Sequence, residues 1–217
     1  MLKEWIDSII KYFIKAWNAI SIDINGEKFS RRNRVIYHVL FLLLTIILVT
    51  SIPKGFSPIF CDYIKDIFAI FVGFFVTVLT FVFDKLDVTK IPTEEEMDLL
   101  PVEKRWDSRK LLLLKREHNY TIRFFYSIGL VIINATIVLC LLIPYALWDN
   151  FLSQDLQQYV FIKSWDALSF ESLLLFAYNS ICIIYRMIII YLIITVFYFT
   201  LYTTSSLLQV LISKKKL

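Results

Sequence analysis

The stretch Ser180–Ile194, SICIIYRMIIIYLII, decides the fold class, because it is a long apolar run with a single charge, at Arg186. It lies inside a larger apolar segment, Leu173–Ile212, which contains neither glycine nor proline. As a helix that segment would extend about 60 Å, twice the thickness of the hydrocarbon core of a bilayer. We therefore expect one membrane span that begins near Arg186, with Leu173–Tyr185 above or along the outer surface or packed on another subunit.

The composition of the whole chain also indicates a membrane protein. Of its 217 residues, 58% are hydrophobic and 17% aromatic, and the mean hydropathy is +0.66. Four segments reach or exceed the roughly 17 apolar residues that a helical span needs: Val35–Ile52, Ile67–Phe83, Phe124–Trp148 and Leu173–Ile212. They lack the alternation of apolar and polar residues that transmembrane strands show. The sequence therefore predicts an all-α integral membrane protein with four transmembrane helices.

The distribution of lysine and arginine predicts the orientation. Seven lie before the first span, nine between the second and third, and three at the C-terminus, whereas the two other loops hold three. Basic residues concentrate in cytoplasmic loops, so we expect both termini and the central loop to be cytoplasmic. The nine basic residues of the central loop meet nine acidic ones, and we therefore expect no direct binding of nucleic acid.

These features divide the chain into four regions. We expect a cytoplasmic amphipathic helix and basic linker at 1–34, a transmembrane hairpin at 35–83, a cytoplasmic helical loop at 84–123, and a second hairpin with an outer loop and basic C-terminus at 124–217. In the first region the apolar residues follow one helical face: Leu2, Trp5, Ile6, Ile9, Ile10, Phe13, Ile14, Trp17 and Ile20. This pattern predicts a helix that lies in the membrane interface, and docking on the protein's own cytoplasmic helices is the alternative.

The central loop carries a candidate partner-binding surface. After Pro101 the sequence runs without a helix breaker into the third span, so we expect that span to extend into the cytoplasm as a helix. The extension is more apolar than a solvated linker should be, through Trp106, Leu111, Leu112, Leu113 and Leu114. We expect these residues to contact another copy of the chain or a second cytoplasmic protein.

Few polar residues fall within the expected spans, and those that do are candidates for a functional role. Arg186 is expected at the outer interface, paired with an acid such as Asp149 or Asp62, or else at an oligomer seam or pore mouth. Asn134 is expected to hydrogen-bond across a helix interface or to line a pore. Gly73 and Thr77 form a small-xxx-small pair that allows another helix to approach closely.

The sequence contains few residue patterns that are typical of an enzyme. No Asp or Glu falls within an expected span, so ion-coupled transport is not expected either. Cys61, Cys140 and Cys182 lack ligand-like spacing, and we expect no catalytic residue, metal or cofactor. The spacing of Arg32 and His38 resembles the Arg-x(4–6)-His motif of HEPN ribonucleases, which leaves a membrane-bound ribonuclease as a third hypothesis.

The topology resembles that of small four-span membrane proteins of bacterial anti-phage defence loci. The resemblance rests on the amphipathic start, on the glycine-bearing second span IFAIFVGFFVTVLTFVFDKL and on the charged helical loop. The nearest comparisons are the membrane subunit of the Kiwa system and the membrane accessory protein of type VI-B CRISPR loci. The resemblance implies a non-enzymatic sensor or effector in the bacterial inner membrane, which is homo-oligomeric and works with a cytoplasmic partner. A small channel or uncoupled transporter is the alternative.

The charge distribution makes a testable prediction about topology. In a variant without native cysteines, a cysteine at Gln157 should react with an impermeant maleimide added to intact cells, and one at Glu95 should react only after lysis. Labelling of the Glu95 position in intact cells would show that the orientation is the opposite of the predicted one.

Overall fold

The computed structural model describes residues 2–22, 28, 30–52, 55–86, 107–147 and 170–215. In this part of the chain the regular elements are six helices. They are α1 (Leu2–Ile20), α2 (Arg31–Ser51), α3 (Pro58–Leu86), α4 (Ser108–Leu141), α5 (Ile143–Leu147) and α6 (Phe170–Lys215). An isolated antiparallel bridge joins Ile22 and Lys28 after α1. Trp106, Asp149 and the labelling positions Glu95 and Gln157 lie outside the described residues.

Three of these helices are long and apolar enough to cross a membrane, which agrees with the predicted class of all-α membrane protein. Their apolar stretches are Pro58–Phe81 in α3, Leu111–Tyr145 in α4 and α5, and Phe176–Gln209 in α6. The apolar part of α2, Val35–Ser51, is shorter, because basic residues precede it and the helix ends at Ser51.

The described chain forms two compact units. The first contains residues 1–31, 73–132 and 197–217, and the second contains residues 32–72 and 133–196. The first buries apolar side chains that include Ala16, Phe75, Phe124, Ile128, Val131 and Phe199. The second buries Phe56, Phe68, Ala135, Val138, Cys182, Ile189 and Val196, among others.

Burial along α4 follows a seven-residue repeat. Glu117, Phe124, Val131 and Val138 are all buried and stand seven residues apart. Ser127 and Asn134, also buried, form a second series three residues after Phe124 and Val131. A repeat of alternating three- and four-residue steps keeps one stripe of an α-helix turned toward its neighbours. The stripe begins at Glu117, seven residues before the expected start of the third span.

Helix α6 has the same repeat, and it continues through Arg186, where the membrane boundary is expected. Cys182, Ile189, Val196 and Thr203 are buried at seven-residue intervals, and the helix runs without a break from Phe170 to Lys215. The expected division relied on the one charge in the segment. With no glycine or proline present, and with burial continuing on both sides of Arg186, nothing ends the helix there.

A proline ends α4, and a tyrosine compensates for part of the disruption. Pro144 has no N–H, so the carbonyl of Cys140 cannot receive its usual intrahelical hydrogen bond. The Tyr185 hydroxyl donates to the neighbouring carbonyl of Leu141, with an oxygen–oxygen distance of 2.5 Å. Helix breaks in an apolar environment persist where nearby side chains satisfy the backbone in this way.

Helix α2 contacts the rest of its unit through a narrow stripe. Thr45 and Val49 are buried, and His38 and Phe41 are half-buried. Its other large apolar side chains are exposed, including Val35, Ile36, Val39, Leu40, Leu42, Leu43, Leu44, Ile46 and Ile47. An apolar patch of this extent is not normal for a surface in water.

Candidate functional site: polar side chains buried in the helical units

The first unit buries polar and charged side chains from two helices. Helix α4 contributes Glu117, Arg123 and Ser127, and α6 contributes Thr203 and Ser206. Burying such groups costs free energy unless they are hydrogen-bonded. Their arrangement is therefore the first place to look for a role beyond packing.

Arg123 and Tyr202 join α4 to α6. The guanidinium group of Arg123 donates a hydrogen bond from Nη2 to the Tyr202 hydroxyl. Its central carbon also lies 5.0 Å from the centroid of the Tyr202 ring, within the range of a cation–π interaction. Both contacts stabilise the arginine charge in a place that water reaches poorly.

Ser127 and Thr203 continue the same contact with two hydroxyl groups. Thr203 Oγ1 donates to Ser127 Oγ at 2.8 Å, and Ser127 Oγ donates to the Phe124 carbonyl at 3.0 Å. Both hydroxyl protons therefore have acceptors. The pair links the heptad stripe of α4 directly to that of α6.

Glu117 was not identified as a site residue from the sequence, which placed it in the cytoplasmic loop. The structure buries it inside the apolar stretch Leu111–Tyr145. The carbonyl oxygen of Glu117 accepts a hydrogen bond from Thr121 Oγ1 at 2.8 Å. The seven-residue spacing to Phe124, Val131 and Val138 was the available signal, because it extends the buried stripe beyond the expected end of the span.

The second unit buries Arg186 almost completely. The side chain is 1% exposed and is the largest of the fully buried ones. The expected position of Arg186 at the outer interface stays a prediction, and the structure adds that the side chain is buried within the protein. Arg186 also lies ten residues after Phe176, the start of the apolar stretch, or about 15 Å along the helix axis. Asp62, one of the acids expected to pair with it, is exposed and bonded to Lys65 at 2.8 Å.

Other polar side chains are buried in the same unit. They are Thr45 of α2, Asn134 of α4, and Asn179 and Thr195 of α6. The Thr45 hydroxyl donates to the Phe41 carbonyl and that of Thr195 to the Tyr191 carbonyl, each at 2.8 Å. Arg186 and Asn134, both predicted as oligomer or pore residues, are thus placed in one unit and buried there.

His38 makes a specific side-chain contact in this unit. Its Nδ1 atom lies 2.6 Å from the Tyr191 hydroxyl, and the two rings stack with centroids 6.5 Å apart. Arg32, its partner in the HEPN-like spacing, is exposed. In the part of the chain that the structure describes, His, Cys, Asp and Glu form no group of three that would hold a metal ion.

Gly73 and Thr77 occupy an open face of α3. An added Cβ at Gly73 would have no atom within 4 Å outside its own helix backbone and chain neighbours. Thr77 is exposed, and its hydroxyl donates to the Gly73 carbonyl at 3.0 Å. The close helix approach expected at this pair is therefore not made by the described part of the chain.

The leucines of the predicted partner surface differ in exposure. Leu112 is 47% exposed, whereas Leu111, Leu113 and Leu114 are half-buried. The surface on the described residues is therefore narrower than the tetraleucine suggested, with Leu112 as its most accessible member.

The Ser127–Thr203 hydrogen bond generates a stability prediction. Thr203→Val removes the donor while keeping the shape of the side chain, and should lower the free energy of unfolding by about 0.6–1.7 kcal/mol. Thr204→Val is the matched control, because Thr204 is exposed and bonds only to the Thr200 carbonyl of its own helix. Thermal unfolding of both variants in one detergent measures the difference. Equal stability of the two variants would show that the bond does not hold α6 to α4.

Comparison with protein-family models, with curated proteins and with solved structures finds no match for this chain. The resemblance to membrane proteins of anti-phage defence loci therefore stays a hypothesis, and the function has to be argued from the helices and their buried and exposed side chains.

Proposed function

We propose that the chain is a non-enzymatic sensor or effector of the bacterial inner membrane, with four spans and both termini in the cytoplasm. It assembles with further copies of itself and acts with a cytoplasmic protein partner in anti-phage defence. The role in defence comes from the topological resemblance alone. The proposals for assembly and for partner binding each rest on a described surface.

The observation that carries the proposal is the open face of α3. Gly73, Thr77 and Thr80 are all exposed, and both threonine hydroxyls donate to carbonyls of their own helix, Gly73 and Val76, at 3.0 Å. Helices associate in membranes where small residues, including glycine and threonine, let their backbones approach closely. This face therefore suits a helix of a second copy.

The exposed apolar surface of α2 supports its assignment as the fourth span. A helix with apolar side chains on most of its circumference requires lipid or protein around it. Its backbone hydrogen bonds are made within the helix, as a lipid-exposed segment requires. The three basic residues at its start, Arg31, Arg32 and Arg34, suit a cytoplasmic membrane boundary.

A small channel is the second candidate, and one observation favours it. The second unit buries Arg186, Asn134 and Asn179, and intramembrane polar residues often line ion or substrate pathways. Conductance in planar bilayers distinguishes the two functions. A membrane-bound ribonuclease is less favoured, because His38 is already in contact with Tyr191.

The open face of α3 predicts the effect of filling it. Gly73→Leu places a large side chain where a second helix would approach, and should shift the particle from oligomer to monomer, as measured by mass photometry or native mass spectrometry. Phe74→Leu is the control, because Phe74 is exposed on a different side of α3. An unchanged oligomer in Gly73→Leu would remove this face from the assembly.

The cytoplasmic surface on α4 predicts a loss of partner binding. Leu112→Asp puts a charge in an apolar contact and should abolish co-purification of a cytoplasmic partner from the native host while the protein still inserts. Leu112→Met, which keeps an apolar side chain of similar size at the same position, should retain the partner. Equal recovery in both variants would exclude Leu112 from the interface.

A further inference from the structure

Helix α1 is seated on α4 by a contact that depends on a glycine. The Tyr12 side chain occupies the space over Gly129, where an added Cβ would overlap its hydroxyl oxygen. The rings of Tyr12 and Tyr126 lie 5.5 Å apart between centroids, and the Tyr12 hydroxyl donates to the Tyr126 carbonyl at 3.5 Å. Burial, and to a lesser extent Tyr126, raises the pKa of the Tyr12 phenol.

The circumference of α1 divides into three faces. One contains the buried Ala16 and the half-buried Ile9, Tyr12 and Phe13, and includes the contact with α4. The opposite side of the helix carries exposed charges and polar groups, which are Glu4, Asp7, Ser8, Lys11, Lys15 and Asn18.

Between those two faces lies an exposed apolar stripe. Ile10, Ile14 and Trp17 follow the four- and three-residue steps of one helical side and are 51%, 57% and 39% exposed. Lys3 is exposed on the same side. Such a stripe next to a charged face is the pattern of a helix that lies in a membrane interface.

The position of the contact on α4 agrees with the depth of such a helix. Arg123 is the last charged residue of α4. Tyr126 and Gly129 follow it by three and six residues, or about 5 and 9 Å along the helix. Interfacial helices bury their apolar face about 5–10 Å into the boundary between headgroups and acyl chains. Contact with α4 therefore holds α1 at the level where the charged part of that helix gives way to the apolar part.

We propose that α1 binds the interface of an anionic bilayer leaflet through Ile10, Ile14 and Trp17, while Tyr12 over Gly129 fixes its place on α4. Lys3, Lys11 and Lys15 add electrostatic attraction to anionic headgroups. Lipid is preferred over a second protein because the contact with α4 lies just past Arg123, the last charged residue of that helix. The proposal rests on the membrane location in the proposed function, and is independent of oligomer formation and of the cytoplasmic partner.

Fluorescence quenching tests the lipid contact. The full chain, with Trp17 as its only tryptophan, is placed in vesicles of brominated phosphatidylcholine and phosphatidylglycerol. Bromine near the interface should quench Trp17, and Ile10→Asp should reduce this quenching roughly two-fold, because a charge opposes burial of the stripe. Ser8→Asp, the same charge on the polar face, should leave it unchanged. An unquenched Trp17, or equal quenching in both variants, would overturn the proposal. A protein that covers the stripe in place of lipid would give the first of these results.

Lipid charge and salt distinguish attraction to headgroups from apolar insertion alone. Replacing phosphatidylglycerol with phosphatidylcholine, or adding molar salt, should reduce the quenching of Trp17, since charge attraction to the surface is screened. Quenching that is independent of both would overturn the anionic part of the proposal.

Hydrogen exchange tests the seating of α1 on α4. Gly129→Leu should expel Tyr12 and speed amide exchange in residues 2–20 by about tenfold or more, because docked segments exchange mainly through local opening. Tyr12→Ala combined with Gly129→Leu should recover part of the protection, because the smaller side chain makes room for leucine. Faster exchange with no recovery in the double variant would indicate general damage to the fold and contradict a specific contact.

The two glycines separate this inference from the proposed oligomer. Gly73→Leu should change the particle mass and leave α1 protected, whereas Gly129→Leu should release α1 and leave the particle mass unchanged. If Gly73→Leu leaves the particle mass unchanged while Gly129→Leu still releases α1, the α3 face is excluded from the oligomer and the contact of α1 with α4 is retained. Unchanged protection of α1 in Gly129→Leu would overturn the role of Tyr12 at this position.

Discussion

The seven-residue spacing of buried positions on α4 is the constraint on which much of this structure depends. Four residues, Glu117, Phe124, Val131 and Val138, are buried on one stripe, and the contacts that join α4 to α6 in the first unit are made on or beside it. On that stripe Ser127 meets Thr203. Beside it, Arg123 reaches Tyr202, whereas Gly129, which receives Tyr12, lies on the other side of the helix. The stripe carries polar groups at regular intervals, which restrict how neighbouring helices can slide or rotate, because each buried donor needs its own acceptor.

Much of the secondary structure was predictable, because apolar length is a local property of the sequence. Segments such as Phe124–Trp148 and Leu173–Ile212 indicate helices without reference to any neighbour. The surroundings of a polar residue are not local in this sense. Arg186 is expected at the outer membrane interface because one charge in an apolar segment is cheapest there, and the segment alone does not show that its side chain is buried within the second unit.

Other site residues depended on contacts that no single segment contains. Glu117 looked like one of many charges in a polar loop until its spacing to Phe124 was followed into the span. Gly129 looked like an ordinary glycine in an apolar run, because the tyrosine that needs its space is more than a hundred residues earlier. Gly73 drew attention through its spacing to Thr77, yet its surroundings are open. Gly73 and Gly129 have similar apolar neighbours in the sequence, but only Gly129 has a side chain packed against it, and only the tertiary structure shows this difference.

The lengths of the apolar helices have a consequence for the membrane around the protein. The apolar part of α2, Val35–Ser51, has 17 residues, which is about 26 Å and shorter than a typical hydrocarbon core of about 30 Å. The apolar stretch of α6 has 34 residues, or about 51 Å, far longer than that core. In the proposed four-span arrangement these helices have hydrophobic mismatch of opposite sign. The bilayer is drawn thinner beside α2, and α6 must tilt or project beyond it, which makes the protein sensitive to membrane thickness and tension.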